Sequence, residues 1–252
     1  MTASRRVRLL DVPIDLLDMA GTVELVREHV EHGRPGAHLG VNAANLVLAR
    51  DDRAYLEDLS AADVVTVDGQ WVLWGARLME LDVVERVTGI DLMQELLARA
   101  RCSEWSVYLV GARAEVVRAL ARRLDRSGIR VAGYRDGYFP ADASRSIAEA
   151  VKASGAQLLF VGLPSPQKER FIIEHARPAG VPFSIGVGGS FDVLSGRLRR
   201  APRLLQRMGL EGFFRFAQEP RRLLGRHGVM SLRFVWLLAL HLVRRSARRR
   251  RR

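Results

Sequence analysis

Along the first 190 residues, short apolar runs alternate with longer stretches whose apolar residues recur every three or four positions. The runs Val7–Leu10, His38–Val41, Val64–Val67, Val107–Val110, Val131–Tyr134, Leu158–Val161 and Phe183–Val187 read as strands. The stretches near 22–32, 43–60, 91–101, 114–127, 142–153 and 167–177 read as amphipathic helices, with a further one at 70–78. Several strands are almost wholly apolar, as in Gln157-Leu158-Leu159-Phe160-Val161-Gly162. Strands buried on both faces read this way. The pattern predicts an α/β domain: a Rossmann-like, mostly parallel sheet flanked by helices.

Open sheets of this kind bind ligands beyond the carboxyl ends of their strands. Those ends are rich in Gly and short polar residues: Asn42 to Asn45, Asp68-Gly69-Gln70, Gly111-Ala112-Arg113, Arg135 to Tyr138, Gly162 to Glu169 and Gly188 to Asp192. Candidate binding residues there are Asn42, Asn45, Gly111, Tyr138, Gln167, Gly188 and Asp192. Asp68 ends an apolar strand, where a general base is useful. Its other reading is the N-cap of the 70–78 helix. Gly186-Val187-Gly188-Gly189-Ser190-Phe191 has Phe191 where a dinucleotide fingerprint needs its last Gly, so it reads as an anion-binding turn instead. His29 and His32 share a helix face without a third ligand and read as solvated. No Asp-x-Asp pair occurs anywhere, so no metal and no cofactor is expected.

After Gly196 the alternation stops. Arg203–Met208, Leu210–Ala217, Pro220–Arg226 and Val229–Val243 read as successive helices. Charge changes at the same place. From Arg197 onward there are 17 Arg, no Lys, and only Glu211 and Glu219, a net of +15, against −3 for the first 196 residues. The predicted organisation is therefore an α/β catalytic domain at 1–196, a helical, basic, membrane-associating appendage at 197–247 and a disordered arginine tail at 248–252. The run from Phe234 to Val243 has ten residues, too few for the roughly 20 a spanning helix needs, and reads as an interfacial segment beside a polybasic cluster. Met1 to Arg8 is polar and basic with no apolar stretch behind it, which predicts a cytoplasmic protein held at the inner face of the plasma membrane. The lone Cys102 is expected to be a buried structural thiol. A rival reading of the arginines is an α/β nucleic-acid-binding protein; another is a non-catalytic partner of a membrane assembly.

Several motifs together resemble one family. They are Val41 to Arg50 (VNAANLVLAR), Asp63 to Gly69 (DVVTVDG), Glu85 to Asp91 (ERVTGID), Tyr134 to Phe139 (YRDGYF), Val161 to Glu169 (VGLPSPQKE), Gly186 to Gly196 (GVGGSFDVLSG) with Arg200-Ala201-Pro202, and Gly209 to Arg215 with Glu219 to Arg222. The chain resembles the WecG/TagA/CpsF glycosyltransferases (glycosyltransferase family 26) from about Val7 to Arg226. The resemblance implies an inverting, metal-independent enzyme. It would move a sugar, N-acetylmannosamine or its uronic acid, from a UDP donor onto a polyprenyl-diphosphate-linked GlcNAc. It implies Asp68 as base. Asn42, Arg86 and Gln167 would line the donor sugar and diphosphate, with Arg86 also serving the catalytic step, and Tyr138 and Asp192 would lie near the uridine. Arg215, Arg221 and Arg222 would close over the site and stabilise the leaving group. Gly40 and Gly212 depart from the family pattern, which commonly has Thr and an aromatic there. The partners expected are the two substrates and an anionic membrane surface, not nucleic acid; a homo-oligomer is left open.

Overall fold

The computed structural model describes residues 5–218 and 233–240, apart from the side chains of Phe213, Arg215 and Phe216. In chain order the elements are β1 (Arg6–Leu9), β2 (Val12–Asp15), α1 (Met19–Glu31), β3 (Gly36–Val41), α2 (Ala43–Asp51), α3 (Arg53–Ala61), β4 (Val64–Val67), α4 (Gln70–Leu78) and α5 (Gly89–Cys102). There follow β5 (Val107–Gly111), α6 (Ala114–Arg126), β6 (Val131–Arg135), α7 (Ser144–Ala153), β7 (Leu158–Gly162), α8 (Gln167–Arg170), β8 (Phe183–Gly186), α9 (Ser190–Leu194), α10 (Arg203–Arg207) and α11 (Glu211–Gln218). Residues 233–240 are helical as well.

Six parallel strands form one sheet in the order β4-β3-β8-β7-β5-β6. The strands are short and Val-, Ile- and Leu-rich, and β3, β4 and β8 are buried along their whole length. Helices cover both faces, as the sequence pattern predicts. Leu39, Val65 and Leu159 pack with α2, α3, α4, α7 and the Phe171–Ala176 continuation of α8 on one face. Leu109, Phe160 and Ile185 pack with α1, α5, α6 and α9 on the other. The helices that follow β3 and β8, neighbours in the sheet, therefore leave to opposite faces. Those that follow β5 and β7 do the same.

Four local expectations are corrected. The first strand is half of an antiparallel hairpin outside the main sheet: Arg6 pairs with Asp15 across a turn in which Leu10 (φ 49°) and Asp11 (φ 71°) take left-handed conformations. The hairpin is pinned to β4 by Asp15, which accepts Val65 N–H at 2.7 Å and receives Arg6 through two hydrogen bonds. The 43–60 stretch is two helices, because Asp52 ends α2 in an extended conformation and caps α3 by accepting Tyr55 N–H at 3.1 Å. The 167–177 stretch is a single turn of α-helix that runs on as a π-helix over Phe171–Ala176. Cys102 is exposed, at the end of α5 where the helix leaves the core.

His38 lies in the middle of the sheet, fully buried, with Nε2 2.8 Å from Thr66 Oγ1. Thr66 in turn donates to Val87 O, so His38 is the Nε2–H tautomer. Burial, together with the charge of Lys168, lowers its pKa to about 3. The unfolded chain binds a proton at His38 from about pH 6.5 downward that the folded chain refuses until about pH 3. Stability from this group is thus fully present above pH 6.5 and lost as pH falls through that window. In paired urea titrations at pH 7 and 4.5, the stability advantage of wild type over His38→Gln should shrink by about 2 kcal/mol at the lower pH. A gap that does not change with pH would remove His38 as the cause.

Candidate active site

The carboxyl ends of β3 and β4 are tied together by Val41 O, which accepts Asp68 N–H at 2.9 Å and Gly69 N–H at 3.3 Å. That brings Asp68 beside Gly40: a Cβ at Gly40 would lie 3.2 Å from Asp68 Cβ. It also brings Gly69 against Asn42, since a Cβ at Gly69 would lie 3.0 Å from Asn42 Cβ. The N-cap position of α4 is Gly69, one residue after Asp68. The N-cap reading of Asp68 thus misses the observed cap position by one residue. Val87 N–H donates to Val67 O, so the residue before Val87, Arg86, leaves the chain next to the residue before Asp68. Asn42, Asp68 and Arg86 are thus gathered at one end of the sheet.

Asn42 caps α2, its Oδ1 accepting Ala44 and Asn45 N–H at 3.0 and 3.3 Å. Asn45 closes the capping box from below. Its Oδ1 accepts Asn42 N–H, and its Nδ2 donates to Tyr55 Oη at 2.7 Å and Ser165 Oγ at 3.1 Å. Asn45 is buried, and its side chain bonds to Asn42, Tyr55 and Ser165, so it positions Asn42. Beneath it lies a buried polar cluster that sequence reasoning missed. Glu169 Oε1 takes Ser165 Oγ at 2.8 Å, Tyr55 Oη at 3.2 Å and Lys168 Nζ at 3.1 Å. Burial, reinforced by the Glu169 charge, raises the Tyr55 pKa and keeps its hydroxyl protonated. The side chains at 167 and 168 divide sharply. Gln167 is exposed, whereas Lys168 is buried with its stem against Gly186.

The remaining strand ends are built from glycine for two different reasons. Gly111 sits at φ +135°, and a Cβ there would lie 2.5 Å from the Gly162 carbonyl carbon, so β5 and β7 touch backbone to backbone. Gly137 closes on the same point, its N–H donating to Ala112 O, and the exposed Tyr138 follows it. Gly188, after β8, has φ +51° but open space where a Cβ would point. Asp192 is buried and ion-paired with Arg197 at 2.6 Å. Its carboxylate thus anchors the segment that begins at Arg197.

Arg86 meets a partner that sequence reasoning missed. Its Nη1 lies 3.3 Å from Glu211 Oε2, with both side chains largely buried. Glu211 is the one acid between Arg197 and Gln218, a signal visible in the sequence. With Arg197–Asp192 and Arg200–Asp91 (2.7 Å), it fastens 197–218 to the sheet domain. Arg215 belongs to α11, but its side chain, like Arg221 and Arg222, lies outside the described residues. Among the described residues no group of three His, Cys, Asp or Glu side chains is placed to hold a metal ion.

One family model, described as Glycosyl transferase WecG/TagA/CpsF family, matches residues 7–249 of this chain.

The two glycines should respond differently to alanine. Gly111→Ala meets backbone that cannot withdraw and a φ reserved for glycine, and should lower the urea-unfolding free energy by about 3 kcal/mol or more. Gly188→Ala meets only left-handed strain, about 1 kcal/mol. Equal losses would contradict the close β5–β7 approach.

Proposed function

The chain belongs to the WecG/TagA/CpsF glycosyltransferase family, and within it we propose an inverting, metal-independent transferase. It moves an N-acetylmannosamine-type sugar, or a related hexose or uronate, from a UDP donor to a polyprenyl-diphosphate-linked sugar in cell-wall or surface-polysaccharide synthesis. The observation that carries this reading is Asp68. It follows a fully buried strand, precedes the N-cap position of the next helix, and stands at the strand end between Asn42 and Arg86.

In the proposed step the Asp68 carboxylate removes the proton of an acceptor hydroxyl as that oxygen attacks the anomeric carbon. The bond from that carbon to the UDP oxygen breaks with its electron pair, and UDP leaves as an anion. Preorganised positive charge where that anion develops lowers the barrier without a metal. Arg86 is held by Glu211 in place to supply it, and Arg215, Arg221 and Arg222 are proposed to join it. The Gly188-Gly189 turn offers space and backbone N–H groups for the diphosphate. Tyr138, exposed at the β6 end, offers a ring for the uridine base. Gly40 leaves the space beside Asp68 free of a side chain. A polyprenyl acceptor stays in the bilayer, so the enzyme must work at a membrane surface. Among the described residues no helix is long and apolar enough to cross one, and peripheral attachment at the inner face through the arginine-rich 197–247 appendage is the reading proposed. The nucleic-acid alternative leaves the strand-end residues without a task.

Two measurements test the reaction. Asp68→Asn should keep its UDP affinity and lose ~10²–10⁴-fold in turnover. Near-normal turnover in the folded variant would end the base assignment. Turnover of the wild type should be the same in EDTA as in Mg²⁺; abolition by EDTA and recovery with Mg²⁺ or Mn²⁺ would refute metal independence.

A further inference from the structure

The described part of the C-terminal run does not lie free for a membrane. Phe234, Leu237 and Leu238 of the 233–240 helix are buried, and Phe234 and Leu238 reach Gly75 of α4, where a Cβ would lie 3.0 and 3.3 Å from their side-chain carbons. The expected interfacial segment thus turns one face into the core and leaves Val235 and Trp236 outside.

The exposed aromatic surface continues onto α4. Trp71, Trp74 and Leu78 repeat at i, i+3 and i+7 and are all exposed. The two indoles pack edge to face with centroids 5.3 Å apart. Gly209 packs on Trp74, its Cβ direction meeting the indole at 3.3 Å, and this joins α4 to α10, whose Leu204 and Met208 are 68% and 50% exposed. Apolar side chains of this size, contiguous and open, mark an interaction surface.

Charge selects the occupant. Arg77, Arg203 and Arg207 stand on the elements that form this face, while Arg233 is paired with Asp51 at 2.9 Å, and residues 197–210 hold five Arg, of which Arg197 and Arg200 are ion-paired, and no acid. Within α4 itself there is no acid; Asp68 precedes the helix, and Glu80 and Asp82 follow it. Indoles ringed by arginine suit the headgroup layer of an anionic bilayer, where the ring sits at the boundary and the cation meets phosphate.

Resting on the transferase reading above, we infer that this α4–α10 face, with Val235 and Trp236, is the surface that docks the enzyme on an anionic phospholipid leaflet and aims its cleft there. Trp71 is three residues from Asp68 and lies in the first turn of α4, so the face begins next to the strand end. Docking through Trp71 brings Asp68 to the depth at which a lipid diphosphate presents its sugar.

The test uses the full-length protein and vesicles of phosphatidylglycerol and phosphatidylcholine, with and without brominated acyl chains. Trp105 is buried, so Trp71, Trp74 and Trp236 report on the face. Their emission should move to the blue on binding and be quenched by brominated chains. Trp71→Ser with Trp74→Ser should bind anionic vesicles roughly tenfold or more weakly. Leu204→Ser with Met208→Ser, which alters only exposed side chains, should weaken binding in the same direction. Both variants should turn over a short-chain, water-soluble acceptor at the wild-type rate. Unchanged vesicle binding in both variants, or emission indifferent to brominated lipid, would overturn the inference. So would a wild-type dimer that the substitutions split, since the face would then seat a second copy. The vesicle readouts need no sugar, so they can fail without the transfer reaction failing, and the reverse.

Discussion

A parallel sheet leaves its carboxyl edge open wherever neighbouring strands send their helices to opposite faces. Here β3 and β8 do so, and α2 and α9 diverge from them. No helix can cover the gap, and the backbone groups at the strand ends point into it. Asp68, Asn42 and Gly188 lie at that edge because of this constraint. On another edge of the fold the same residues would be ordinary turns.

Precision in the gap comes from what lies under it. Asn42 is set by Asn45, Asn45 by Tyr55 and Ser165, and those by Glu169. Arg86 is set from the other side by Glu211, so the arginine-rich C-terminal segment takes part in building the site. The ion pairs to Asp91 and Asp192 make 197–218 continuous with the body that it follows in sequence. One stretch of chain thus contributes to the cleft, through Glu211, and to the exposed face, through Leu204 and Met208.

The sheet was legible because its strands are apolar runs separated by helical periods, and that pattern has few other solutions. The amino-terminal hairpin was not, because its turn is Leu10-Asp11 and neither residue advertises a left-handed conformation. Asp68 was legible as an end-of-strand carboxylate with two readings, and the fold bears on one of them by placing the N-cap position of α4 at Gly69. The partners of Asn45 and Asp192, which are Tyr55, Ser165 and Arg197, were not legible, because they meet through folding and not through any shared motif. The α4 face was hidden for another reason. Residues 70–78 are apolar on most sides, and which side stays outside depends on where Phe234, more than 150 residues away in sequence, comes to rest.

The central claim is a direct displacement at the anomeric carbon with Asp68 taking the proton. It is tested most directly by the stereochemistry of the product. The enzyme should be given a UDP-sugar that it uses and a polyprenyl-diphosphate-linked acceptor, and the anomeric proton coupling of the new linkage read by NMR. The account predicts a configuration opposite to that of the donor. A product that retains the donor's configuration would contradict it.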